Sequence, residues 1–198
     1  MRIKVNVVLS TVVFVWLWTF SLSTQYARCA ETNSAKENIG SRIVAEAKSS
    51  LGKEVWRGYG LPNGKLGCAA ALCNVLKKAG ISEIKTPMVT TMRRQLLASP
   101  LGCTERIIRN GSGTQIDDTI LLKDCRPGDI ILAFNEPPSK LNGGANAHCG
   151  IMGQNTQVYT NNWMDGIWTE VEIHQMFDYF PYIRLLRLGG GRTSNKQS

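Results

Sequence analysis

The stretch CRPGDIILAF, residues 125–134, divides the sequence into two parts with different hydrophobic patterns. In it a Pro-Gly turn leads into a short, continuous apolar run, which is typical of a buried strand. The segments before it up to about residue 99 show the spacing of amphipathic helices, and most segments after it show the pattern of strands. Helices followed by a run of strands predict an α+β fold, with the N-terminal helices packed on an antiparallel sheet.

Two helices are predicted well before this stretch. SRIVAEAKSSLG, residues 41–52, carries apolar residues at helical spacing and ends on a glycine. CAAALCNVLKKAG, residues 68–80, predicts about three helical turns, with Cys68 in the first turn, two lysines in the last turn and Gly80 as the stop. The glycine-rich segment between them, residues 52–67, is predicted to be a loop whose aromatic and basic side chains line a groove.

A third helix is predicted from Thr86 as N-cap and Pro87 as first residue to just before Pro100. Beyond the central stretch, residues 135–147 form a thirteen-residue loop, long enough to suggest a functional rim or lid. The remaining predicted elements are a hairpin from HCGIMG (148–153) and QVYTNN (157–162), a strand GIWTEVEI (166–173), a short helix HQMFDYF (174–180) and a last strand YIRLLRL (182–188).

The first 29 residues have the pattern of a secretory signal peptide. MRIK precedes twenty residues without a charge, and small residues allow cleavage after Ser23 or Cys29. An uncleaved membrane anchor is the alternative. Cleavage implies a secreted, extracellular protein with one domain over residues 30–188, a disordered tail over 189–198 and no stable membrane association.

The chain is basic and has six cysteines. Removal of residues 1–29 takes away Arg2, Lys4 and Arg28 and no acid, so the formal charge falls by three, from +8 to +5. A basic secreted protein suits an anionic partner such as a bacterial envelope. In an oxidising compartment, loss of Cys29 leaves five cysteines, which predicts two disulfides among Cys73, Cys103, Cys125 and Cys149 and one free thiol. The cysteine and histidine spacings do not suggest a zinc site.

Cys68 is the candidate nucleophile and His148 the candidate base. The first turn of a helix lowers the pKa of a thiol, and Gly67 before it lets the backbone approach a substrate closely. The alternative is that Cys68 faces the core with the other apolar residues of its helix. His148 begins a strand after a flexible loop, where its side chain can meet a helix N-terminus, whereas His174 lies in a polar stretch typical of an exposed cap.

The third residue of such a site is predicted from hairpin parity. A two- or four-residue turn places Asn161 on the face of His148, and a three-residue turn places Thr160 or Asn162 there. An amide oxygen accepts the imidazole N–H in Cys-His-Asn enzymes, which favours Asn161, with Asn162 second. Both asparagines also suit a turn before Trp163.

The order GxxCAAALCNVLKKAGI, CRPGDIILAF, AHCGIMG and QVYTN resembles the NlpC/P60 and CHAP cysteine peptidases of peptidoglycan. The resemblance covers about residues 41–188 and is greatest to the second family of type VI secretion amidase effectors and to the domesticated copies in arthropods such as ticks and mites. Two features depart from the usual pattern. GCAA replaces DCSG around the nucleophile, and Thr or Asn stands where many relatives have a third-position His.

The resemblance implies a papain-like fold, with Cys68 as nucleophile and His148 as base, that hydrolyses peptide stems of peptidoglycan. The expected bond is the D-Ala to meso-diaminopimelate cross-link. The alternatives are the γ-D-Glu to diaminopimelate bond and a non-catalytic cell-wall binding module. We expect a monomer that uses no metal or cofactor and binds no nucleic acid. Arg57, Lys65, Gly67 and Trp163 are the predicted substrate contacts, while Trp168 is either a second groove wall or plain core.

Overall fold

The computed structural model describes residues 39–111, 115–140 and 146–189. The predicted signal peptide and all but the first residue of the predicted tail lie outside these ranges. Before the sheet, the described elements are helix α1 (39–49), a single 3-10 turn (Gly64–Leu66), α2 (Cys68–Lys78) and α3 (Val89–Leu97). After them come β1 (Cys103–Asn110), α4 (Asp118–Asp124), β2 (Ile130–Phe134), β3 (Ala147–Met152), β4 (Gln157–Asn161), β5 (Trp168–Glu172), α5 (Ile173–Phe177) and β6 (Tyr182–Leu188).

The strands form one six-stranded sheet in the order β1-β6-β2-β3-β4-β5, and every neighbouring pair is antiparallel. The last strand inserts between the first two, while β2 to β5 follow one another in chain order. The predicted α+β class is therefore confirmed. None of the described helices has both the length and the apolar character needed to cross a membrane.

Both faces of the sheet are covered, which explains the unbroken apolar run in β2. All five β2 residues are buried. Ile130, Leu132 and Phe134 pack in one core cluster with α1, α2 and α3, whereas Ile131 and Ala133 pack in a second cluster with α4 and α5. A strand between two apolar layers needs apolar side chains at every position.

Helix α2 is the most buried helix, and its ends follow the sequence signals. Eight of its eleven residues are buried, and two lysines occupy the last turn, where the helix dipole favours positive charge. Gly80, with φ of +85°, ends it as predicted, and the N–H of Ile81 donates to Leu76 O at 2.9 Å.

The predicted start of the third helix was wrong by two residues. Helix α3 begins at Val89, and its N-cap is Met88 rather than Thr86. The Thr86 hydroxyl accepts a hydrogen bond from the N–H of Met88 at 3.1 Å, so this side chain closes a turn ahead of the helix. Pro87 therefore precedes the helix and is not its first residue.

The β3-β4 turn has three residues, 154 to 156. The N–H of Gly153 donates to Gln157 O at 2.8 Å, and Asn155 adopts a positive φ of 54°. The register pairs Gly150 with Thr160 and Met152 with Val158. Since side chains alternate along a strand, Thr160 shares the sheet face of His148, and Asn161 lies on the opposite face.

Candidate active site

Cys68 is the first residue of α2, and Gly67 is its N-cap. Gly67 offers no side-chain acceptor, and the first intrahelical bond runs from the N–H of Ala71 to Gly67 O at 2.8 Å. The N–H of Cys68 consequently has no acceptor within the helix. The sulfur therefore lies at the positive end of the helix dipole, beside a backbone donor suited to an oxyanion.

The pairing between β3 and β4 ends early and leaves a gap. Through this gap the Cys68 side chain reaches residues on both faces of the sheet. The strand pairing stops at Gly150 and Thr160, although β3 extends back to Ala147. Cys68 Sγ lies 3.9 Å from Ala147 O at this open end. At Gly150, a Cβ would come within 2.7 Å of Val158 Cγ2. Glycine therefore allows close strand approach immediately beyond the gap.

The hydrogen bonds of Thr160 select one tautomer of His148. Thr160 Oγ1 donates to Cys149 O at 2.7 Å and lies 2.8 Å from His148 Nε2. A hydroxyl has a single proton, and here the Cys149 carbonyl accepts it, so the oxygen faces Nε2 as an acceptor. Nε2 therefore carries the imidazole proton, and the Nδ1 lone pair is left to accept a proton from Cys68.

Aromatic rings surround the imidazole. The centroids of Trp163 and Phe177 lie 5.2 and 5.3 Å from that of His148, and Phe180 stacks nearly parallel to it at 6.4 Å. Trp163 is 38% exposed and also contacts Tyr179, which is 74% exposed. His148 itself is only 3% exposed. Aromatic rings thus pack around the imidazole, and Trp163 and Tyr179 are the rings exposed at the surface.

The pKa of Cys68 lies well below the ordinary value for a thiol. The largest cause is a hydrogen bond with the Cys149 side chain, followed among the lowering effects by the hydrogen bond and charge of His148 and by the Ala69 N–H. Cys68 is only 9% exposed, and the burial of its sulfur opposes these effects without cancelling them. Cys68 is therefore suited to act as a thiolate.

The structure does not bring Asn161 to His148, in contrast to the preferred assignment from hairpin parity. Its Nδ2 donates to Gly64 O at 2.7 Å on the other side of the sheet, because the three-residue turn reverses the parity. Asn162 Oδ1 accepts from the N–H of Met164 in the turn that follows β4. Asn161 therefore fixes the 3-10 turn ahead of the nucleophile, and Asn162 shapes a loop.

The glycine before the nucleophile is required by a tryptophan. A Cβ on Gly67 would lie 2.6 Å from Trp56 Cβ, and one on Gly64 would lie 2.3 Å from Trp56 Nε1. Trp56 is buried, so it packs under this turn and does not line a groove. Trp168 is fully buried as well, and its Nε1 donates to Ala47 O at 3.0 Å, which makes it core.

The two predicted cationic contacts occupy different places. Lys65 is exposed in the 3-10 turn, three residues before Cys68. Arg57 pairs with Glu54 and lies 5.0 Å from the centroid of Trp56. The Arg57 carbonyl accepts a hydrogen bond from Asn74 Nδ2 at 3.0 Å. Asn74 is six residues after Cys68 in α2, which is roughly 9 Å along the helix axis. Of the two, Lys65 is the one that lies close to the nucleophile along the chain.

The five cysteines in the described ranges are free thiols, in contrast to the predicted two disulfides. Cys73 is buried beside Thr86 O at 3.3 Å, and Cys149 is buried beside Cys68. Burial raises the pKa of Cys103 to about 11 and of Cys125 to about 12. Cys29 lies outside the described residues.

One polar cluster supports the wall behind His148 and was not found from the sequence. Asp178 accepts from the Ile116 N–H at 2.8 Å, contacts His174 Nδ1 at 3.0 Å and forms a 3.7 Å ion pair with Arg109. Arg109 also donates to the carbonyl of Phe180 at 2.9 Å. These bonds fix the segment from α5 to β6 that carries the rings against His148.

Of the site residues predicted from the sequence, the structure brings Cys68, His148 and Trp163 together, and it adds Thr160 from among the alternatives. The sequence prediction missed Cys149, Phe177, Phe180 and Tyr179, and the alternation of side chains along β3 is the signal that would have placed Cys149 on the helix side.

Within the described ranges, no group of three or more His, Cys, Asp or Glu side chains is arranged to hold a metal ion. No protein-family model matches the chain, and no curated protein matches it.

Proposed function

We propose that the protein is a secreted cysteine amidase that hydrolyses the peptide stems of bacterial peptidoglycan, at the D-Ala to meso-diaminopimelate cross-link. The fold proposed with it is of the papain-like NlpC/P60 type. One observation carries the proposal. A low-pKa thiol at a helix N-terminus lies beside an imidazole whose tautomer is selected by a buried hydroxyl.

The reaction follows from these positions. The Cys68 thiolate attacks the carbonyl carbon of the scissile amide, and the N–H of Cys68 donates to the developing oxyanion. His148, protonated at Nδ1 after taking the thiol proton, gives this proton to the leaving amine. The same nitrogen then takes a proton from a water molecule, and the water oxygen attacks the acyl group and releases it from the sulfur. Thr160 orients the ring through both steps.

The rim of the site suits a small, partly apolar peptide linked to sugars. Gly64 approaches Gly166, so the turn before Cys68 abuts the turn after β4. These turns carry exposed Leu66 and Met164, and Trp163 continues the surface towards exposed Tyr179. Apolar and aromatic side chains contact alanine methyl groups and sugar faces favourably. Lys65 supplies a charge for a free stem carboxylate.

The test is digestion of purified peptidoglycan of the diaminopimelate type, followed by mass spectrometry of the fragments. We expect cross-linked dimers to disappear and monomer stems to accumulate with the wild-type protein. Cys68→Ala should abolish this conversion. Cys73→Ala, which removes another buried thiol of α2, is the matched control and should retain it.

The products separate the proposal from its alternatives. Shortened stems would assign the γ-D-Glu to diaminopimelate bond instead. Unchanged sacculi that nevertheless retain the protein would make it a binding module. The cross-link amidase would then be wrong, although the fold would be unaffected.

A further inference from the structure

Two thiols meet at the N-terminus of α2. Cys68 Sγ lies 3.9 Å from the carbonyl of Ala147, and Cys149 follows two residues later on the same strand. Cys149 is fully buried in the core cluster that also contains Cys68 and the other apolar residues of α2. Alternation along β3 therefore directs the Cys149 side chain to the helix and the intervening His148 to the other face.

The two sulfurs are chemically unequal. Burial is the main cause that raises the pKa of Cys149 well above its ordinary value, and its hydrogen bond with Cys68 raises it further. The same hydrogen bond is the main cause that lowers the pKa of Cys68. Cys149 thus stays a thiol that donates to the Cys68 thiolate. A reactive thiolate beside a second thiol is the arrangement found in redox-sensitive cysteine pairs.

The other described cysteines do not share this arrangement. Burial raises the pKa of Cys73, and Cys103 and Cys125 are shifted in the same direction. Each of these three thiols is therefore a poor nucleophile at neutral pH. An oxidant that reaches the described part of the chain reacts fastest at Cys68.

We propose that Cys68 and Cys149 form a reversible disulfide that switches the nucleophile off, with Cys149 as the resolving cysteine. The Cys68 thiolate attacks one oxygen of hydrogen peroxide, so that the O–O bond breaks and a sulfenic acid and hydroxide form. The Cys149 sulfur then attacks the Cys68 sulfur, its proton leaves with the hydroxyl group as water, and an S–S bond results. Both electrons go to the peroxide. An external dithiol, or two thiols, reduces the S–S bond by two successive exchange steps and is itself oxidised to a disulfide.

The pairing deepens the proposed function, because it regulates the same sulfur that attacks the amide. It also predicts protection of that sulfur. A sulfenic acid without a resolving thiol proceeds to the irreversible sulfinic acid. Cys149 captures the first oxidation product before a second peroxide molecule reacts with it.

The test treats the purified, reduced full-length chain with hydrogen peroxide, blocks remaining thiols with iodoacetamide and maps the peptides by mass spectrometry. We expect a peptide pair joined through Cys68 and Cys149, which disappears after dithiothreitol. In Cys149→Ser, whose hydroxyl keeps a donor beside the Cys68 thiolate but supplies no resolving sulfur, we expect sulfinic acid at Cys68 that dithiothreitol does not reverse. Cys73→Ala should behave as the wild type.

Two results would overturn the proposal: a disulfide that joins Cys149 to Cys73, or equal over-oxidation of Cys68 in the wild type and in Cys149→Ser. The mapping on the wild-type chain does not depend on the folding of any variant. It also does not depend on peptidoglycan cleavage, so an inactive protein that forms the bond would refute only the proposed function.

Discussion

Thr160 is the residue whose hydrogen bonds define the chemistry of His148. Replacement by valine keeps the branched shape but removes both the acceptor for Nε2 and the donor to Cys149 O. The neutral imidazole is then free to carry its proton on Nδ1 instead of Nε2, and in that tautomer Nδ1 cannot accept a proton from Cys68, so fewer molecules hold the base in its active form. We expect Thr160→Val to lower kcat on the order of 100-fold, the lower end of what a positioned general base contributes. KM should change little.

Thr160→Ser is the matched control, because it retains the hydroxyl. It should recover most of kcat and the wild-type pH profile. A threonine with only a structural role would give a different result. Valine would then lower the melting temperature while kcat of the folded fraction stayed normal.

The lowered pKa of Cys68 predicts its reactivity across pH. The pKa lies below the ordinary thiol value of about 8.5, so the rate of alkylation by iodoacetamide should reach its plateau below that pH. His148→Ala removes a hydrogen bond and a charge that favour the thiolate. In that variant we expect the plateau to move to higher pH and the rate at pH 6 to fall. Identical profiles for the two proteins would contradict the Cys68–His148 contact.

At the scale of elements, local pattern predicted some features and not others. Helix α2 was predictable because its composition, terminal lysines and Gly80 all act within its own turns. The sheet face of Asn161 was not predictable, because a difference of one residue in the turn length decides it and turns of two, three and four residues all suit the sequence. The seven-residue α4 was missed entirely. Its N-cap, Asp117 accepting from Thr119 at 2.8 Å, is the local signal that was available.

Helix α5 provides a test of pH-dependent stability. His174 lies between Asp178 at 3.0 Å and Asp118 at 2.7 Å. Burial alone would lower the pKa of His174, but the hydrogen bonds and charges of the two carboxylates raise it overall. A folded-state pKa above the unfolded value of 6.5 means that the stabilisation is complete below pH 6.5. It is lost as the pH rises through the folded-state value.

We therefore expect His174→Asn to lower the free energy of unfolding by about 1 to 2 kcal/mol at acidic pH and by less at alkaline pH. Urea denaturation of both proteins over a pH series measures the difference. Asp118→Asn is the control and should reduce the pH dependence while leaving Asp178 in place. A difference that grows with pH would contradict the assignment.

At the scale of the whole molecule, the site joins parts that are distant in sequence. Asn161 reaches Gly64 across 97 positions, and Cys68 meets β3 across 79. The sequence showed that a thiol and an imidazole were available and on which elements they lay. The gap between β3 and β4 arises from strand register and from the close approach at Gly150, which no local pattern reports. The contact of Cys68 with His148, which the gap allows, was unpredictable for this reason.

A group of cations lies away from the proposed catalytic site. A cleft of about 550 Å³ is lined by Lys53, Arg57, Lys77 and Lys78 against the single acid Glu54, towards the opposite end of α2 from Cys68. Peptidoglycan stems are anionic, so under the proposed function we expect these cations to attract sacculi without contact with the scissile bond. In a Cys68→Ala background, we expect Lys77→Gln with Lys78→Gln to weaken binding to sacculi about 5-fold at low salt. In about 0.5 M salt the difference should vanish, because the charges are screened.

The control removes two exposed cations elsewhere, with Lys123→Gln and Arg126→Gln on and just after α4. If this control loses as much binding to sacculi as the Lys77 and Lys78 variant, net charge alone drives binding. If neither variant loses binding, the cleft is excluded as a binding surface. With Cys68 restored, kcat on a small soluble stem dimer should be the same in all three proteins. Lys77 is nine residues after Cys68 in α2, about 14 Å along the helix axis, so it lies away from a scissile bond bound at Cys68. A fall in kcat on that dimer would instead place the lysines in the site itself.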